Sequence, residues 1–184
     1  MQEMSRYGFI LTLICIISAG LLAVANTITG PKILAAAQSQ EQAAFKEVMP
    51  LGSRFTAVKP DGYKEILYYK AFDSQGKLIG FVFKASGKGH VSVIETLVGI
   101  YPDGKISAIK IISINETPGL GMRVTEDRFT GQFSHQNSLD LSGVQAITGA
   151  TISSRAVMDS VMQKAQETKE WINSDKLNKK EGAQ

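Results

Sequence analysis

The chain has 184 residues and a formal net charge of +3, and 43 % of its residues are apolar while 20 % are charged. This composition can bury a core, which excludes a wholly disordered chain, and the small positive excess argues against binding to nucleic acid. One cysteine and two histidines exclude a disulfide within the chain and leave too few ligands for a Cys-ligated zinc or iron–sulfur centre, so a redox function would need an organic cofactor.

The N-terminal segment, residues 1–31, is predicted to anchor the chain in a membrane. No charged side chain occurs from Tyr7 to Pro31, and a helix of about 20 apolar residues crosses a bilayer. Pro31 is expected to end this helix. The alternative is a signal peptide cleaved near Ala35-Ala36-Ala37, but the apolar run is long for one and the residues before it include one acidic and one basic side chain. We therefore favour a retained single-pass anchor, whose orientation the flanking charges do not decide.

Residues 32–60 are predicted to form a stalk helix and a linker. Ala35–Met49 has a helical pattern in which Phe45 and Val48 share a face, and Pro50 stops the helix.

Four runs rich in β-branched, aliphatic and aromatic residues predict an antiparallel sheet of two hairpins. Ser74-Gln75-Gly76 separates the first pair and Pro102-Asp103-Gly104 the second, and both are turn sequences. The predicted strands are Glu65–Phe72, Leu78–Ala85, Val91–Tyr101 and Ile106–Ile114.

The residues after the sheet predict flanking helices, which makes residues 61–172 an α+β domain. A final helix is expected to run from an N-cap at Ser153 or Ser154 to about Trp171, and the polar residues 173–184 are expected to fray. Its apolar face would be Val157, Val161 and Ala165. Two shorter elements are expected before it, a helix at Val124–Phe133 and a strand at Val144–Ile147.

The segment before the final helix has features that favour a phosphate. It carries hydroxyls at Thr148, Thr151, Ser153 and Ser154, the small residues Gly149 and Ala150, and the cation Arg155. A helix N-terminus offers unpaired N–H groups and a partial positive charge, so a phosphate beside Thr151 would be stabilised. Taken alone, the segment is better explained as an ordinary loop-to-helix cap.

A second distinctive loop is Glu116-Thr-Pro-Gly-Leu-Gly121, in which a proline and two glycines define a tight turn. Leu120 is displayed between the glycines. Taken alone, it is better explained as a core residue than as the surface for a flat ligand. His90, which follows Gly87-Lys-Gly89, could approach a phosphate or a partner, but taken alone it is better explained as an ordinary surface histidine.

The two loops together resemble a known family. Glu-Thr-Pro-Gly-Leu-Gly, followed after about thirty residues by Thr-Gly-Ala-Thr-x-Ser at a helix start and preceded by one membrane anchor, resembles the G subunit of the Rnf electron-transport complex. That protein is similar to the C subunit of the sodium-pumping NADH:quinone reductase, and both belong to the FMN-binding domain family. The resemblance covers nearly the whole chain. It implies a flavoprotein electron carrier within a ferredoxin:NAD⁺ oxidoreductase that couples electron transfer to Na⁺ or H⁺ transport.

The resemblance also implies a covalent cofactor, FMN, joined by a phosphoester to Thr151. A flavin transferase, with FAD as donor, would install it. The acceptor pattern of that enzyme usually has an acidic residue six positions earlier, where this sequence has Gln145, whereas Ile152 and Ser153 match the pattern. Implied partners are the other membrane and redox subunits of the complex, and the implied location is the plasma (inner) membrane with the soluble domain on the extracytoplasmic side.

The predicted contacts of the flavin divide into three groups. Leu120 and Ile152 would cover the ring, the Glu116–Gly121 loop would bond its edge, and the start of the last helix would hold the phosphate. The full set of candidate cofactor-binding residues is Glu116, Thr117, Gly119, Leu120, Gly121, Thr148, Gly149, Ala150, Thr151, Ile152, Ser153 and Ser154.

Two alternatives remain open. One is the C subunit of the sodium-pumping reductase, which tends to be longer between the same motifs. The other is an anchored binding or assembly module without a cofactor, in which Thr151 is only a helix cap.

Overall fold

A computed structural model describes residues 2–59 and 66–181, with side chains described for residues 6–30, 40–59 and 66–173. The chain divides into two compact units, residues 1–42 and 43–184. The fold class is α+β, as predicted. In chain order the elements are α1 (Gln2–Val48), β1 (Arg54–Val58), β2 (Tyr68–Phe72), β3 (Leu78–Lys88), β4 (Val93–Ile100), β5 (Ile106–Ser113), α2 (Asp127–Thr130) and α3 (Thr151–Glu181).

The five strands form one antiparallel sheet in the order β1-β2-β3-β4-β5. The two predicted hairpins are confirmed as β2–β3 and β4–β5, and β3 pairs with β4 to join them. Asp73 builds the first turn, because its Oδ1 accepts the N–H groups of Gln75 and Lys77 at 2.8 and 2.9 Å. Glu65, the predicted start of the first strand, lies outside the described residues, as does the predicted boundary between residues 60 and 61.

The sheet has an additional strand that the sequence pattern did not predict. β1 pairs with β2 at the edge of the sheet, from Arg54 opposite Phe72 to Val58 opposite Tyr68. Its residues are exposed or half-buried, so it lacks the apolar alternation of a strand with one face in the core.

Helix α3 covers one face of the sheet, and its predicted apolar face is confirmed because Val157, Val161 and Ala165 are buried. They belong to the same core cluster as Phe83 of β3 and Val98 of β4. The opposite face of the sheet buries Val82 and Leu97 with Phe45 and Val48 from the end of α1. Alternation along β3 therefore sends Phe83 and Val82 into separate clusters.

Two helix ends differ from the prediction. Pro31 lies inside α1 and does not end it, because the strong helix formers that follow, including Ala35-Ala36-Ala37, continue the helix to Val48. Pro50 then follows the last turn, as expected. Helix α3 extends to Glu181 rather than Trp171, so most of the tail predicted to fray is helical, and residues 182–184 lie outside the described residues.

Two local predictions between the sheet and α3 are also corrected. The helix expected at Val124–Phe133 consists of three short pieces, α2 flanked by 3₁₀ turns at Gly121–Thr125 and Gly131–Phe133. Residues Val144–Ile147 are not a strand. The backbone of Gln145 instead bonds the side chain of Gln132, with its N–H donated to Oε1 at 2.9 Å, which substitutes for a neighbouring strand.

Helix α1 contains a segment long and apolar enough to cross a membrane, Arg6–Gly30, with a mean hydropathy of 2.5. Its threonines are satisfied within the helix, because the Thr12 and Thr29 hydroxyls donate to backbone carbonyls four residues earlier at 2.9 and 2.7 Å. Such a segment exposes no unpaired hydroxyl to lipid at these positions.

Replacing Ile17 by arginine is expected to release the chain from membranes. Ile17 lies near the middle of the apolar segment, where an arginine costs about 3 kcal/mol of insertion free energy. The fraction of chain that remains in the membrane pellet after an alkaline carbonate wash measures the effect, with Ile17→Leu as the control. A wild-type chain found soluble, with an intact mass that shows cleavage near Ala35–Ala37, would establish the signal peptide instead.

Candidate functional site

Two loops that are far apart in sequence meet at the start of α3. The loop Glu116–Gly121 follows β5, and Thr148–Ala150 leads into α3. At Gly149, where φ is +84°, an added Cβ would lie 3.5 Å from Cδ2 of Leu120. Glycine adopts this left-handed conformation without strain, which lets the second loop turn beside the first.

A groove of about 340 Å³ lies between these loops. It brings together nine of the twelve predicted residues with His90, whereas Thr148, Gly119 and Ser154 do not line it. The lining residues are His90, Glu116, Thr117, Leu120, Gly121, Gly149, Ala150, Thr151, Ile152 and Ser153.

Thr151 is the first residue of α3, and its side chain is exposed. The predicted N-caps, Ser153 and Ser154, are therefore wrong, because both lie inside the first turn. The first intrahelical bond runs from the Ser154 N–H to the carbonyl of Ala150 at 2.9 Å. The earlier N–H groups of the turn have no carbonyl partner within the helix, so they are available to an anion near Thr151. Arg155, which is also exposed, adds a positive charge.

The hydroxyls of the two serines are buried and already engaged. Ser153 Oγ donates to Glu116 Oε2 at 3.2 Å, and Ser154 Oγ accepts the Ile147 N–H at 3.1 Å. These bonds hold the preceding loops against the helix. The anion-binding capacity of the helix start thus rests on Thr151, the backbone N–H groups and Arg155.

Two large apolar side chains form exposed walls of the groove. Leu120 is 50 % exposed and Ile152 is 56 % exposed. The interpretation of Leu120 as a core residue is therefore wrong, because the tight turn presents it at the surface. Apolar side chains exposed on a groove offer cover to a flat ligand ring.

Glu116 is only 4 % exposed, at the base of the groove. Its Oε1 accepts the N–H groups of Val91 and Ser92, both at 2.9 Å, while Oε2 accepts the Ser153 hydroxyl. Burial alone would raise the pKa of Glu116, but these donors and the charge of His90 outweigh it and hold the pKa below its ordinary value of 4.5. The carboxylate thus stabilises the folded chain at neutral pH, and this contribution is lost as the pH falls through the lowered pKa.

Thr148 lies in a different groove, of about 210 Å³, with Arg123, Arg128 and Gln145. Gln145 is held by reciprocal bonds with Gln132. The segment that leads into α3 is thus held on this side as well.

His90 is the lining residue of the groove that is not among the twelve predicted ones. A histidine after Gly87-Lys-Gly89 favours an ordinary surface position, and His90 is indeed exposed. The structure brings it to the groove because Glu116, more than twenty residues later, binds the two amides that follow it. A contact over such a sequence separation has no signature in the local pattern.

The residues that line the groove fit an FMN group. It offers an exposed hydroxyl at a helix N-terminus for the phosphate end, and the apolar walls Leu120 and Ile152 for the ring. Its volume is near the lower limit of about 300 Å³ for ligand sites, so a bound ring would be covered only in part.

Comparison with known proteins gives two family matches. The FMN-binding domain family matches residues 89–166, which contain both loops and the first half of α3. The RnfG N-terminal region matches residues 1–48, which correspond to α1.

Several curated proteins are similar over most of the chain. The G subunit of an ion-translocating oxidoreductase complex from Methanosarcina acetivorans is 34 % identical over 87 % of this chain and 92 % of its own length. The G subunit of the proton-translocating ferredoxin:NAD(+) oxidoreductase complex from Clostridium ljungdahlii is 36 % identical, over 83 % of this chain and 85 % of its own. The Na(+)-translocating counterpart from Acetobacterium woodii is 32 % identical, over 85 % and 87 % respectively.

Proposed function

The chain belongs to the family of G subunits of Rnf-type ion-translocating oxidoreductase complexes, and we propose that it holds its FMN through a phosphoester on the Thr151 hydroxyl. As a member of this family it is a membrane-anchored, FMN-binding electron carrier, and its partners are the other subunits of the complex. This family membership also favours the Rnf complex over the sodium-pumping reductase.

The position of the Thr151 hydroxyl carries the proposal. Three residues that line the groove bear hydroxyls, and Ser153 is buried and bonded to Glu116. Thr117 and Thr151 are exposed. Thr151 stands at the helix N-terminus with Arg155 nearby in sequence, where a phosphate would be stabilised, and it is the last residue of Thr-Gly-Ala-Thr.

The attachment reaction balances with FAD as the donor. The Thr151 oxygen forms a bond to the flavin-side phosphorus, the bond between the two phosphates breaks, AMP leaves, and the hydroxyl proton is lost. A flavin transferase catalyses the step. When bound, FMN supplies the capacity to accept and release electrons, while Leu120 and Ile152 shield part of the ring and the start of α3 compensates the phosphate charge.

A covalent bond suits an open groove. A flavin held at micromolar affinity is bound by only about 8 kcal/mol and dissociates into any large volume that contains no free flavin. The extracytoplasmic side that we propose for this domain is such a volume. The ester removes the dissociation equilibrium while the ring remains accessible to redox partners.

Ion transport is proposed to take place in other subunits of the complex. Ion paths within a membrane are marked by ionisable residues, and the segment from Tyr7 to Gly30 has none of the residues Asp, Glu, Lys, Arg or His. Two relatives are named for different ions, H⁺ and Na⁺. The role of this chain would thus be to receive electrons from one redox subunit and pass them to another.

Co-expression with a flavin transferase tests the proposal. The denatured wild-type chain should show flavin fluorescence on a gel, and the peptide that contains Thr151 should gain the mass of FMN less one water. Without the transferase the band should be dark. A dark wild-type band in the presence of active transferase would favour the cofactor-free binding module.

A further inference from the structure

Glu116 joins three separate segments at the base of the groove. Its carboxylate accepts the N–H groups of Val91 and Ser92 at 2.9 Å in the loop between β3 and β4, and the hydroxyl of Ser153 at 3.2 Å in the first turn of α3. Glu116 itself lies in the loop after β5. Each of these segments also contributes lining residues to the groove, namely His90, Leu120 and Thr151.

Two glycines pack directly against the carboxylate of Glu116. An added Cβ on Gly121 would lie 2.7 Å from Glu116 Oε2 and 2.9 Å from Ser153 Oγ. An added Cβ on Gly89 would overlap Glu116 Oε1. Two glycines from two loops therefore enclose the carboxylate, so that its position is determined by the chain around it.

A further bond ties the same loops together. The Asn115 N–H donates to Ser92 Oγ at 3.0 Å, next to the bond between Ser92 N–H and Glu116. Asn115 thus donates one bond to the β3–β4 loop, and Glu116 accepts two bonds from it. Removal of the carboxylate would leave two backbone donors and a buried hydroxyl without their acceptor, which is costly in a buried position.

We propose that Glu116 is the positioning residue of the flavin site, which acts by holding His90, Leu120 and Thr151 around one groove before the flavin is attached, rather than by binding the flavin itself. Three in-chain donors occupy its two oxygens, which leaves little of the carboxylate for a ligand. The ionised state suits this role because an acceptor-only group matches three donors. The inference rests on the proposed flavin site.

Glu116→Ala and Glu116→Gln separate positioning from ligation. The glutamine amide oxygen can still accept the two N–H groups and its NH₂ can donate to Ser153 Oγ, so the geometry is retained while the charge is removed. We expect the rate of flavin attachment by the transferase to fall about tenfold or more in Glu116→Ala and to recover to within about threefold of wild type in Glu116→Gln.

The second measurement needs no flavin. In the unmodified full-length chain, hydrogen exchange at the Val91 and Ser92 amides should accelerate at least about tenfold in Glu116→Ala and return toward the wild-type rate in Glu116→Gln. Val161→Ala, a change at a buried position of α3 that does not line the groove, is the control for lost stability and should leave the attachment rate unchanged.

The outcomes are distinct. Normal attachment in Glu116→Ala would overturn the positioning role. Failure of attachment in Glu116→Gln, while the Val91 and Ser92 amides remain protected from exchange, would also overturn it and would favour a direct contact between the Glu116 charge and the flavin. A wild-type chain that takes no flavin would refute the proposed function, while the exchange rates would still test whether Glu116 joins the loops.

Discussion

Replacing Thr151 by valine is expected to give a chain without covalently bound flavin, while Thr151→Ser retains the attachment. Valine has nearly the shape of threonine but no oxygen to form the ester. Because Thr151 is exposed at the first position of α3, the change should alter the free energy of unfolding by only about 0.5 kcal/mol. In-gel flavin fluorescence after co-expression with the transferase measures the result.

Thr117→Val and Thr148→Val are the matched controls. Thr117 carries the other exposed hydroxyl that lines the same groove as Thr151. Thr148 lies in the loop that leads into Thr151, but it lines the neighbouring groove. Both variants should keep their fluorescence. Attachment that survives in Thr151→Val but disappears in Thr117→Val would move the ester to the opposite wall of the groove and overturn the proposal.

The sequence predicted the parts of the molecule that local chemistry determines. The two hairpins follow from their turn residues, and the buried face of α3 from the spacing of Val157, Val161 and Ala165. Most groove residues were predicted because the two motifs are recognised together. Neither motif alone indicated a ligand, as the mistaken interpretation of Leu120 shows.

The errors have a common physical cause, which is that tertiary context outweighs local preference. β1 is a strand because the edge of β2 offers it backbone partners, although its side chains are largely exposed. Val144–Ile147 has an apolar pattern but meets the side chain of Gln132 instead of a strand. Pro31 disfavours a helix locally, yet the residues on both sides favour one.

The network around Glu116 could not have been predicted from spacing. Its partners Val91 and Ser92 lie 25 and 24 residues earlier, and Ser153 lies 37 residues later. A glutamate beside Thr-Pro-Gly gives no indication that it will be buried. Only the closure of the sheet and the docking of α3 bring these donors to one carboxylate.

Gly87→Ala is expected to destabilise the chain by about 3 kcal/mol and to reduce flavin attachment as well. An added Cβ would overlap the backbone carbonyl of Ala156 in α3 and lie 3.1 Å from Cβ of Ser160. Because the obstacle is helix backbone, no side-chain rotation relieves it, and α3 must shift on β3. Thr151 lies less than two turns before Ala156, so this shift would also displace the acceptor hydroxyl from the groove.

Gly131→Ala provides the control for this second change. Gly131 has helical backbone angles, φ −64° and ψ −23°, and an added Cβ would have no neighbour within 4 Å. The substitution is therefore expected to be neutral or to stabilise by about 0.5 kcal/mol through the unfolded state, with normal flavin attachment. Chemical denaturation of the detergent-solubilised chain, followed by circular dichroism, compares the two variants. Equal stability of the two variants would mean that α3 does not pack against β3 at Gly87.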